Sequence, residues 1–365
     1  MNSRQRLLAA LSGDQMDKIP ITELGVWPET HARWIKEGMP VDITVENYFG
    51  LDKIEVFPFD GSLRLPSKTI EDTEKYIVFT DSNGCTFKRL KNSYGASSFI
   101  NAAVSDSDSW QKLSKNLKPE LNRFEGDDYH FGFGHKLPTL KQERYKKSKK
   151  DDIFTVYSPT EPCWFYLNLL GEEEALCNIA INPDFAEQIF DDYTKFNMEM
   201  MDIIYSAGYR FDALWVFSDL CYKNGMLFSP AFFRERLLPY LTCFFQKAKE
   251  LGMKIIYHSD GYVGELIPLL IEAGVDCMQP LEVRAGNDVR DYIHDYPGKM
   301  SYMGNINADV LASDKEAIYN EIKDKVSAAK ATGRYIYHSD HSIPDTVSLE
   351  NFKYAQELAN KFGGY

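Results

Sequence analysis

Cysteine is scarce and scattered in this 365-residue chain: Cys85, Cys163, Cys177, Cys221, Cys243 and Cys277, with no C-x-x-C pair. That spacing excludes a disulfide framework and reads as free thiols in a reducing cytoplasm. Long apolar runs are missing too. No window approaches the roughly 20 apolar residues of a membrane span. The basic start, Met1 to Leu7, has no apolar stretch behind it of the kind a secretory signal carries. Positive charge is in deficit, with 41 Lys and Arg against 54 Asp and Glu and a formal net charge of −13. Such a chain is poorly matched to nucleic acid, to an anionic membrane surface and to a polyanionic substrate.

Core-forming material is plentiful: 44% of residues are hydrophobic and 14% aromatic, enough for one large α/β barrel or two medium domains. The tetrapeptide Tyr257-His258-Ser259-Asp260 returns as Tyr337-His338-Ser339-Asp340. Each copy follows a short run rich in apolar residues and precedes turn and helix signals. An apolar strand, a polar tip and then a helix is how a parallel α/β barrel builds its working face. Strands are predicted at Lys18–Gly25, Ile54–Asp60, Ile153–Tyr157, Phe211–Phe217, Lys254–Tyr257, Val275–Gln279, Ser301–Asn305 and Tyr335–His338. With helices between them, the expected fold is α/β, a (β/α)8 TIM barrel spanning 1–365 as a single domain. The rhythm breaks at about 62–150, an expected irregular insertion after the second strand. Asn83-Gly84 there marks a β-hairpin. Its closing run, Lys146-Lys147-Ser148-Lys149-Lys150, reads as a solvated helix end or loop.

In such a barrel the active site lies at the carboxyl ends of the strands. His258 and Asp260, two residues apart at one strand end, offer an imidazole nitrogen and a carboxylate oxygen suited to zinc or another divalent ion. His341 or His338 on the closing strand offers a third ligand, leaving an open position for substrate. The competing readings are a metal-free acid/base site and a hydrogen-bonded network that only stabilises the strand ends. Asp219 is a candidate substrate ligand or general base, or a helix N-cap. Glu282 either orients substrate or pairs with Arg284. With His338, these two complete the candidate catalytic set. Glu23, Trp27, Tyr222, Gln279 and Asn305 are expected to line the substrate pocket, and Glu161 falls at a further strand end. Cys277 reads as a buried strand residue and a reserve ligand.

These motifs resemble the uroporphyrinogen decarboxylase superfamily, including its corrinoid methyltransferase branch. The resemblance is carried by Asn2 to Leu11, Asn224 to Pro230, His258-Ser259-Asp260-Gly261, Gly274 to Glu282, Met303-Gly304-Asn305-Ile306 and Ser339 to Pro344. It implies the same barrel. The decarboxylases carry an arginine-rich loop at the first strand that grips a polyanionic tetrapyrrole, whereas this chain has Leu24-Gly25-Val26-Trp27-Pro28-Glu29-Thr30 with no arginine. A match to their late active-site histidine is present at His341. The methyltransferases bind zinc through H-x-C and a late Cys. Here His258 matches the histidine, Asp260 replaces the first cysteine, and His341 falls where the late cysteine would be.

An N/O-ligated zinc is harder than a thiolate-bound one and suits a methyl ether oxygen better than a thiol. The resemblance therefore implies a metal-dependent methyltransferase. It would move a methyl group from a small, methoxylated substrate to a corrinoid carried on a separate partner protein, with Asp219 or Glu282 as the acid for the leaving oxygen. The alternatives are a metal-free carboxy-lyase and a catalytically silent barrel that binds such a partner. Region 62–150 is the candidate cover for a homodimer face.

Overall fold

The computed structural model of the chain describes residues 1–23, 25–91, 97–127 and 140–365. Leu24 of the expected first strand, and 92–96 and 128–139 of the expected insertion, lie outside these. Among the described residues, seven strands form one parallel sheet in sequential order. They are β1 (Ile54–Pro58), β6 (Phe154–Ser158), β7 (Ala213–Phe217), β10 (Lys254–Ser259), β11 (Cys277–Pro280), β12 (Ser301–Met303) and β13 (Tyr335–Ile336). Between β1 and β6 stand β2 (Lys68–Asp72), β3 (Tyr76–Thr80), β4 (Thr86–Leu90) and β5 (Ser98–Asn101), which make a separate antiparallel sheet. After β7 a small hairpin joins β8 (Cys221–Tyr222) to β9 (Gly225–Met226).

The expected strand at Lys18–Gly25 does not form as a continuous strand. Proline at position 20 has no N–H to donate to a ladder. The segment instead makes isolated contacts to both edges of the sheet. The Tyr337 N–H donates to the Pro20 carbonyl at 2.9 Å and the Thr22 N–H to the Tyr337 carbonyl at 3.0 Å, while the Asp52 N–H donates to the Ile21 carbonyl at 2.7 Å. The chain between Pro20 and Thr22 thereby bridges the residues just before β1 to those just after β13, which makes the sheet barrel-like.

A buried ion pair fixes this bridge. Arg6, on the helix Ser3–Ser12, donates to Asp52, whose other oxygen accepts the Ile21 N–H at 2.9 Å. Both side chains are buried. The same helix presents Leu7 and Leu11 to the inward side chains of the strands. Val56, Val156, Trp215, Ile256, Cys277, Met303 and Ile336 pack there as one apolar cluster. The period of two along each strand puts these residues inside and sends their neighbours to the outer helices.

Residues 62–150 are more regular than the sequence suggests. Strands β2 and β5 escape detection because both are exposed along their whole length and lack an alternating apolar face. The Asn83-Gly84 turn does join two antiparallel strands, β3 and β4. The helix Lys141–Lys150 belongs against the main sheet, where Tyr145 meets the rings of Phe57 and Phe211 and Arg144 pairs with Glu55 at 2.5 Å. The Lys run is the end of that helix, and Lys149 donates to Thr155 Oγ1 at 2.8 Å. Among the described residues no helix is long and apolar enough to cross a membrane.

Replacing Asp52 with Ala leaves the Arg6 guanidinium buried without this partner and the Ile21 N–H unbonded. A loss of about 3 kcal/mol in unfolding free energy is expected, measured by denaturant melts.

Candidate metal centre

The inward layer directly above the apolar cluster is built by register. His258 on β10 stands opposite Phe217 on β7 and Gln279 on β11. The turn after β7 then brings Asp219 over the same point, and Asp260 follows His258 by two residues. Ligand atoms of Asp219, His258 and Asp260 lie within 4.8 Å of one another. His258 Nε2 is 3.3 Å from Asp219 Oδ1 and 3.9 Å from Asp260 Oδ1. The Asp260 N–H donates to Asp219 Oδ1 at 3.1 Å. Phe217 covers one side of the imidazole, with ring centroids 4.8 Å apart.

The other imidazole nitrogen decides the chemistry. His258 Nδ1 lies 2.5 Å from Gln279 Oε1. An amide oxygen only accepts, so Nδ1 carries the proton. A neutral ring then points the Nε2 lone pair at two carboxylates, which is repulsive. A proton or a metal cation between them removes the conflict. Tying the distal nitrogen to an oxygen acceptor is also how metal-binding histidines are oriented.

The charges follow. Burial favours neutral His258, but the hydrogen bond and charge of Asp219, helped by Asp260, outweigh it and raise the imidazole above its ordinary range. Burial works against ionised Asp219 as well, and the hydrogen bond and charge of His258 override it, holding this carboxyl below its usual range. Asp260 goes the other way: burial, with the charge of Asp219, raises it against the pull of His258. Asp219, expected as an acid or base, thus sits as an ionised ligand-type group beside His258.

The second tetrapeptide does not repeat this arrangement. His338 is buried, with Nε2 3.5 Å from Glu23 Oε1 and Nδ1 2.6 Å from the Ser339 carbonyl. Ser339 Oγ donates to Glu23 Oε1 at 2.7 Å. Asp340 accepts the N–H groups of Val283 and Ala308, each at 2.9 Å, and so clamps the ends of β11 and β12. His341, expected as the third ligand, is not among the three residues whose ligand atoms converge, although its charge reaches Asp219 and Asp260. It is exposed and stacks on Trp27, with centroids 6.4 Å apart. The turn that commits Asp340 to two backbone amides carries His341 out to that rim. The ligand group contains Asp219 in its place.

Other expected residues divide in the same way. Glu282 Oε2 accepts the Gly261 N–H at 2.9 Å, which holds it beside the trio. Arg284 pairs with Asp309 instead of Glu282. Tyr222 is half-exposed on the small hairpin, whose carbonyl there accepts the Tyr262 N–H at 3.0 Å. Asn305 is fully buried, and its side chain joins Leu281, Asn287 and Val289. That binding within the scaffold removes it from the pocket lining. Cys277 lies in the apolar cluster one layer below His258, so it is no ligand here. The sequence missed the pairing of Gln279 with His258 and the hydrogen bond from Ser218 Oγ to Glu161. Only strand register reveals the first.

The sequence model of the uroporphyrinogen decarboxylase (URO-D) family matches residues 171–362, just over half of the chain, and the protein belongs to that family. A uroporphyrinogen decarboxylase of Streptomyces avermitilis is 27% identical over 123 residues, 33% of this chain. The aligned part spans about a third of that relative's length, 32%. Among solved structures, a methyltransferase from Methanosarcina mazei shares the fold, with a TM-score of 0.60, 16% identity and 99% of each chain covered.

Glu161 caps the helix Pro162–Leu170 and is wholly buried; burial raises its carboxyl to about 7 from an ordinary value of 4.5. The folded protein therefore keeps a proton that the unfolded chain releases first. Its contribution is fully present below about pH 4.5 and is lost as pH rises to about 7, a decline of roughly 3 kcal/mol. Unfolding free energies measured from pH 4.5 to 8 should show that decline in the wild type and a flatter profile in Glu161→Gln.

Proposed function

We propose that this protein is a metal-dependent methyltransferase that takes a methyl group from a small methoxylated compound and delivers it to a corrinoid on a separate partner protein. The observation that carries the reading is the Asp219–His258–Asp260 group, with His258 Nδ1 committed to Gln279 and Nε2 facing two carboxylates. One nitrogen and two carboxylate oxygens fit zinc or another borderline-to-hard divalent ion. Asp219, His258 and Asp260 are its holders in this reading. When bound, the ion supplies Lewis acidity toward the substrate's ether oxygen.

The chain's own residues do the rest. Gln279 fixes the imidazole orientation. Phe217 keeps water off one side of His258. Glu282, held by the Gly261 N–H, is the proton source for the departing alkoxide or phenolate oxygen. Trp27 stacked with His341 forms a flat wall at the rim for a planar substrate. The fold-sharing neighbour from Methanosarcina mazei is itself a methyltransferase, which is the activity adopted here.

The test is metal analysis by mass spectrometry on untagged protein purified without chelators. Near-stoichiometric zinc in the wild type, lost in His258→Ala, is expected. Methoxylated aromatics with a reduced corrinoid protein should then be demethylated by the wild type at least ~100-fold faster than by His258→Ala. Metal-free wild-type protein that stays inactive after zinc is added would overturn the proposal.

A further inference from the structure

Behind the metal-binding face, Glu161 makes a contact that its capping role does not require. Its Oε2 accepts the Cys163 N–H at 2.8 Å and its Oε1 the Trp164 N–H at 2.6 Å. Serine, threonine, asparagine or aspartate would normally do this at an N-cap, and none would leave so long a carboxylate buried. The extra length lets Oε1 also accept a short hydrogen bond from Ser218 Oγ, across from the end of β6 to the end of β7. Both side chains are fully buried.

Ser218 is the junction of the site. Its N–H donates to the His258 carbonyl at 3.0 Å, its carbonyl accepts the Leu220 N–H at 2.8 Å, and Asp219 is the next residue. The alternation along β7 turns Phe217 toward the imidazole and Ser218 away from it, into the layer where Glu161 waits. Three anchors on one residue thus fix the direction in which the following carboxylate leaves the strand.

We infer that the Glu161–Ser218 hydrogen bond positions Asp219, locking the β7 turn so that this carboxylate faces His258. Neither residue touches the ligand atoms; both act through Asp219 as positioning residues. The inference rests on the metal-centre reading for its consequence, but the geometry it predicts is testable without metal.

The experiment compares wild type, Ser218→Ala and Ser218→Thr by two readouts. Amide hydrogen exchange of Asp260, whose N–H donates to Asp219, is followed by NMR on metal-free protein. Zinc affinity is measured by competition with a chromophoric chelator. Ser218→Ala should speed Asp260 exchange about tenfold and weaken zinc binding by about tenfold. The threonine variant, which keeps the hydroxyl, should restore both. An Asp260 amide equally protected in wild type and Ser218→Ala overturns the inference, whatever zinc does. Faster exchange in a protein that binds no zinc sustains the positioning role and defeats the metal reading instead.

Discussion

One imidazole nitrogen facing two carboxylates is the constraint on which this site depends. Gln279 occupies His258 Nδ1, so Nε2 has only a lone pair to offer Asp219 and Asp260. The Asp260 N–H ties the two acids together, but the facing of imidazole and carboxylates is favourable only with something positive between them. A proton does this weakly and gives it up as pH rises. A divalent cation does it at neutral pH and leaves room for substrate. Burial pushes both carboxyls up; Asp219 is nonetheless lowered because it also takes the hydrogen bond and charge of His258, whereas Asp260, farther from that nitrogen, stays raised by burial and by the charge of Asp219.

That cluster needs a rigid floor. The inward residues of the strands and the helix Ser3–Ser12 form an apolar plug beneath His258, so the imidazole cannot retreat from the carboxylates into the interior. The Arg6–Asp52 pair ties the plugging helix to the segment that bridges the sheet's two edges. Bottom and top are therefore coupled through the strands themselves: register at the floor sets which side chains meet at the mouth.

Much of the fold was legible, because buried parallel strands are short apolar runs separated by helical periodicity. All seven of the expected strands from Ile54 onward differ from the observed ones by only a residue or two at their ends. Lys18–Gly25 failed as a strand because Pro20 cannot complete a ladder. Strands β2 and β5 were invisible because they bury no face. The site was half legible. His258 and Asp260 share a strand end, which spacing reveals, whereas Asp219 joins them only through the pairing of β7 with β10. The repeated tetrapeptide misled in its second half. Identical residues at Tyr337–Asp340 bind inward, to Glu23 and to the amides of Val283 and Ala308, because neighbouring turns there present groups for them to bond. Sequence gives the ligand types; the adjoining chain decides which are left available.

X-ray absorption spectroscopy on the zinc-loaded protein addresses the centre most directly. An inner coordination sphere of nitrogen and oxygen alone, at about 2.0–2.2 Å, is expected, with the histidine contribution disappearing in His258→Ala. A sulfur scatterer at about 2.3 Å, or a zinc signal unchanged in His258→Ala, would contradict a centre built on Asp219, His258 and Asp260.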